Sequence, residues 1–105
     1  MPNGNPVEVE YARLVARLNE VLRGINLGSI EAIADDSKRG TLASDNARMW
    51  LEAETIGKRL MELGGLQLMQ RAAREVRRKS ASMCDGLEGS WETRIPGYTK
   101  IRWLP

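Results

Sequence analysis

Residues 44–79 read SDNARMWLEAETIGKRLMELGGLQLMQRAAREVRRK, and this stretch decides the fold class. Met49, Ala53, Ile56, Leu60 and Leu63 recur at steps of four and three, the spacing of one helix face, and Trp50, Gly57 and Met61 broaden that face. Ser44 or Asp45 stands where an N-cap would accept the first free backbone N–H groups. Leu66, Met69, Ala73 and Val76 resume the same period, with Leu68 and Ala72 alongside, as far as about Lys79. Between the two runs lies Gly64-Gly65. Glycine enters the left-handed conformation without a Cβ clash, so the pair predicts a break that lets the second run fold back on the first as an αα-hairpin. The alternative is one continuous helix, at about 2 kcal/mol for two interior glycines.

Working outward, Val7, Tyr11, Leu14, Leu18, Val21 and Ile25 step by four and three, and Val15 and Leu22 widen the stripe on one flank. A stripe this wide belongs to a core helix of a globular domain, here over about Val7–Arg23. Glu10, Arg13, Arg17 and Glu20 lie beside it as a solvated face. Gly24 to Gly28 interrupts the pattern, and Ser29 then reads as the cap of a short second helix ending near Gly40. Downstream, Ser82 with Asp85 three residues on could open a short helix carrying Met83, Leu87 and Trp91, although Gly86 and Gly89 weaken it. From Thr93 the residues turn β-branched and aromatic around Pro96-Gly97, which predicts an extended tail or a small hairpin.

The expected fold is therefore all-α: a small bundle of about four helices over residues 7–91, a flexible leader at 1–6 and an aromatic C-terminal tail at 92–105. A chain of 105 residues carries one domain, whose core has little to spare against ordering entropy. A second copy would help to bury what one chain leaves exposed, and a dimer is expected.

The run Ile56-Gly57-x-x-Leu60-x-x-x-Gly64-Gly65-x-x-Leu68-Met69, with Val76, Leu87 and Trp91, resembles a pattern found in small uncharacterised bacterial helical proteins, some similar to the products of mobile gene cassettes. The resemblance covers about the central third of the chain and departs after Trp91. It implies an all-α fold and no activity.

Chemistry is constrained mostly by what the chain lacks. There is no histidine, so no Ser-His or Cys-His dyad, His-ligated zinc site or imidazole base can be assembled. Cys84 is the single cysteine, which excludes an intrachain disulfide and suits a reducing compartment. The opening Met1-Pro2-Asn3-Gly4-Asn5-Pro6 lacks the basic start and apolar run of a signal peptide, and no stretch approaches the roughly 20 apolar residues needed to cross a bilayer. A cytoplasmic location without membrane contact is expected. No catalytic, cofactor-binding or metal-binding set stands out. Glu31, Asp35 and Asp36 lack the ligand number and glycine spacing of a calcium loop. A helix-turn-helix sought in 30–53, with Gly40 as its turn, would present an acidic reading surface to phosphates. Cys84 fits either a reactive thiol at a helix start or, more simply, a small buried apolar side chain.

Charge is unevenly spread. Net charge is +2, yet residues 1–55 hold six Lys/Arg against nine Asp/Glu, and the remainder ten against five. Arg71, Arg74, Arg77, Arg78 and Lys79 form the densest basic run and a candidate polyanion-binding face, with a solvated helix surface as the plain alternative. Trp50, Met61, Tyr98 and Trp103 are candidate interface residues, because large aromatics anchor both cores and partners. The reading is a non-enzymatic helical module that self-associates or binds a protein, with weak nucleic-acid association through residues 71–79 as the alternative.

Overall fold

The computed structural model describes residues 5–34 and 39–102, with side chains placed at 5–25 and 45–102. It is all-helical among these residues: α1 spans Pro6–Ala34, α2 Arg39–Lys79 and α3 Ala81–Arg94. The first helix begins at Pro6, inside the expected leader. Asn5 caps it, its Oδ1 accepting the Val7 N–H at 3.0 Å, and Pro6 occupies the first helical position, where its missing N–H costs nothing.

The short helix expected from Ser29 to Gly40 is not formed. Residues 29–34 continue α1, and Gly40 lies inside α2, which also starts well before Ser44. Gly24 and Gly28 therefore do not end the first helix. Ile25 is buried, and a Cβ on Gly24 would stand only 3.1 Å from the Met49 sulfur, so close packing of α1 on α2 outweighs a helix cost of about 1 kcal/mol per glycine. The turn position of the helix-turn-helix reading is lost with this correction. Asp35 and Asp36 fall outside the described residues.

Gly65 leaves helical space at φ 71°, ψ −162°, and α2 bends there. A straight helix of 41 residues would extend about 60 Å at 1.5 Å per residue, beyond the 49 Å longest dimension of the molecule. Contacts give the direction of the bend. Up to Gly64 the pairing with α1 is antiparallel, since Met49 meets Gly24, Glu52 meets Arg17 and Arg59 meets Glu10. Past Gly65 the sense reverses, Arg71 reaching Glu8 near the start of α1 while Val76 and Lys79 line a cavity with Leu22 and Arg23.

One core joins these elements. Leu18 of α1, Leu60, Met69 and Val76 of α2 and Leu87 and Trp91 of α3 are its largest enclosed side chains. The seam between α1 and α2 is edged by ion pairs, in which Glu10 and Arg17, expected on a solvated face, take part. Arg17 Nη2 donates to Glu52 at 2.9 Å, Arg59 Nη2 to Glu10 at 2.9 Å, and Arg71 grips both oxygens of Glu8 at 2.8 and 3.1 Å. The guanidinium hydrogen bonds hold the Glu8, Glu10 and Glu52 carboxyls below the usual carboxylate range.

α3 is capped by Ser80 and not by Ser82. Ser80 is extended, and its Oγ accepts the Met83 N–H at 3.2 Å. At the other end Ile95, Pro96, Gly97 and Tyr98 make a turn in which the Tyr98 N–H donates to the Ile95 carbonyl at 3.2 Å. Proline second and a glycine at φ 93° third are what a type II turn requires. Residues 98–102 form no strand, so the hairpin alternative is absent from the described residues.

Candidate functional site

Trp91 and Trp50 both lie against a glycine on a facing helix, and they define the two sides of the α2–α3 contact. Trp91 is fully enclosed, donates from Nε1 to the Ala53 carbonyl at 3.0 Å and lies over Gly57. Trp50 is half-buried over Gly86, with ring atoms 3.4 and 3.8 Å from where a Cβ would stand. Beside it opens a groove of about 620 Å³, lined by small residues such as Ala47, Gly86 and Ser90 together with Glu54 and Arg94. Leu51 lines the same groove and is 60% exposed.

The four candidate interface residues separate. Trp50 lines the groove, whereas Met61, partly buried, places its methyl beneath Gly97. Tyr98 is corrected: it is buried and serves the protein's own core. Its ring meets Trp91 edge-on at 5.4 Å and its hydroxyl donates to Glu88 at 2.6 Å, so no face of it remains for a partner. Burial first, and then that hydrogen bond, raise the phenol pKa far above its ordinary value. Trp103 lies outside the described residues.

Glu88, buried on α3, went unnoticed in the sequence although it interrupts the apolar run of Cys84, Leu87 and Trp91. Its Oε2 accepts both the Tyr98 hydroxyl and the Ile101 N–H, the latter at 2.9 Å, while Gln70 Nε2 donates to the Thr99 carbonyl at 2.8 Å. These bonds fix residues 98–101 against α2 and α3. A buried carboxylate persists only with such partners. Leu51 also escaped the sequence reading. Its signal was a leucine among Glu52 and Glu54, off the apolar stripe.

The basic run is largely committed to acids. Arg71 holds Glu8 and stacks 4.2 Å over the Tyr11 ring, Arg78 pairs with Glu75 at 3.3 Å, and Arg77 lies 4.0 Å from Asp85. Arg74 and Lys79 are exposed and make no ion pair with a described residue. Cys84 is enclosed, its thiol donating to the Ala73 carbonyl at 3.4 Å, and burial together with Glu88 pushes its pKa up to about 11. Such a thiol is a packing residue rather than a nucleophile.

Among the described residues no group of three or more Cys, Asp or Glu side chains is placed to hold a metal ion, and no helix is long and apolar enough to cross a membrane. No protein-family model matches the chain, and neither a curated protein nor a solved structure does.

Proposed function

We propose that this protein is a non-enzymatic helical module that self-associates as a symmetric dimer through the Trp50 groove. We read the two limbs of α2 as separate members of a four-helix bundle, with residues 95–102 as a tail laid over it. The observation that carries the proposal is Leu51, a large apolar side chain 60% exposed in the lining of a groove that small residues also line. A two-fold axis uses one patch twice, so each copy offers a leucine and a groove to receive one. Arg94, which makes no ion pair with a described residue, lines the same groove, as does Glu54, whose carboxylate Lys58 holds at 3.0 Å.

Burying the exposed part of Leu51 contributes on the order of 1–2 kcal/mol per copy. Sedimentation equilibrium tests the reading. A dimer is expected across the micromolar range, and Leu51→Arg should weaken it at least tenfold, because it replaces the apolar contact with a charge that would lose water beside Trp50 and Ala47 and face Arg94. A monomer at those concentrations, or a dimer indifferent to Leu51→Arg, would sink it.

Weak nucleic-acid association through residues 71–79 is the lesser reading. Three of its five cations already face acids, which leaves fewer charges for phosphates.

A further inference from the structure

A second groove, of about 440 Å³, opens between α1 and the junction of α2 with α3, within the volume range of ordinary small-molecule sites. Its floor is apolar, from the buried Leu22 and Val76 with Met83 half-buried beside them. Its rim is cationic. Arg23 on α1 and Lys79 at the end of α2, 56 positions apart in sequence, line the same opening, and neither makes an ion pair with a described residue. Glu20 is the acid among the lining residues, and Arg17 holds its carboxylate at 3.1 Å. Asn19 adds a half-buried amide with no hydrogen-bond partner among the described residues.

We propose that this groove binds a small amphipathic carboxylate, its anionic end between Arg23 and Lys79 and its hydrocarbon body on Leu22, Val76 and Met83. Charge complementarity selects the anion, because two cations lining one opening, neither paired with a described residue, repel each other until a negative group joins them. The floor selects the body. An inorganic anion would leave it exposed to water, and a neutral hydrocarbon would leave the cations unpaired. The Ser80 hydroxyl oxygen caps α3 by accepting the Met83 N–H, and the site is read as one of binding.

The test uses octanoate, octanol and acetate as probes on the full chain, followed by amide chemical shifts at Ala16, Val76 and Met83. Octanoate below its micellar range should give saturating shifts there, and octanol and acetate should bind more weakly. Arg23→Gln with Lys79→Gln, both at exposed positions, should lower octanoate affinity about three- to tenfold, as expected for solvent-accessible charge pairs, and leave octanol unaffected. Absence of saturation, equal binding of octanoate and octanol, shifts centred on the Trp50 groove, or a double variant that binds octanoate unchanged would each overturn the assignment. Because the self-association reading is tested by mass and Leu51, either can fail without the other.

Discussion

The two tryptophan–glycine contacts of the α2–α3 seam use the same pieces to opposite ends. At Trp91 the helices approach so closely that a Cβ on Gly57 would fall 2.5 Å from Nε1 and 2.7 Å from the Ile95 Cδ1 methyl. At Trp50 the nearest ring atom stands 3.4 Å from a Cβ on Gly86, ordinary contact, and the edge of the seam remains open. What closes the first site comes from beyond α3. Ile95 and Tyr98 fold over Trp91 after the Pro96-Gly97 turn, and Glu88 receives the Tyr98 hydroxyl and the Ile101 N–H. No equivalent segment among the described residues covers Trp50, whose neighbours at the opening are Leu51 and Arg94. A tryptophan on a glycine becomes core only when a third element seals it.

Breaking the closed contact should have the largest effect. Trp91→Ala removes an enclosed side chain and its hydrogen bond to Ala53, and should cost about 3–5 kcal/mol, a large share of the roughly 5–15 kcal/mol that holds a domain together. Chemical denaturation followed by circular dichroism at 222 nm, the ordinary helix band, measures this as a lower midpoint or an unfolded chain. An unchanged midpoint would show that the sealed site is not part of the cooperative core.

Gly57→Ala sharpens the comparison. Alanine favours an interior helix position by about 1 kcal/mol, yet here the added methyl collides with the indole and with Ile95, and overpacking of this kind costs about 1–3 kcal/mol. A net loss of stability of up to about 2 kcal/mol is expected. A stabilised variant would mean that the α2–α3 spacing yields easily.

The smallest change belongs to the open contact. At Gly86 the same substitution meets only ordinary van der Waals distances, so the helix gain should stand alone, between no change and about 1 kcal/mol of stabilisation. The signs of Gly57→Ala and Gly86→Ala should therefore be opposite in parallel denaturation curves. Equal signs would erase the distinction between the two sites.

Much of the helical character was legible in local pattern, and the failures have physical causes. The stripes through Tyr11 to Ile25 and Met49 to Leu60 became buried faces because 3.6-residue periodicity is a local geometric property. Gly65 was legible for the same reason, since its left-handed backbone is a property of the residue itself. Gly24 was misread as punctuation because its reason for being glycine is the Met49 sulfur on another helix. Tyr98 was misread as surplus surface because its partner, Glu88, lies ten positions earlier, across the turn.

By itself the sequence determined the all-helical class and the absence of histidine chemistry, and it favoured a break at Gly64-Gly65 and a turn at Pro96-Gly97, all of which follow from residue type and spacing along the chain. Tertiary structure alone decided that α1 runs through its glycines to Ala34, that Glu8, Glu10 and Glu52 pair with Arg71, Arg59 and Arg17, and that Glu88 is buried. It also decided which tryptophan is sealed and which lines a groove. Those outcomes depend on how closely distant segments approach, and a contact energy between residues well apart in the chain, 10 positions for Glu88 and Tyr98 and 63 for Glu8 and Arg71, leaves no mark on local periodicity.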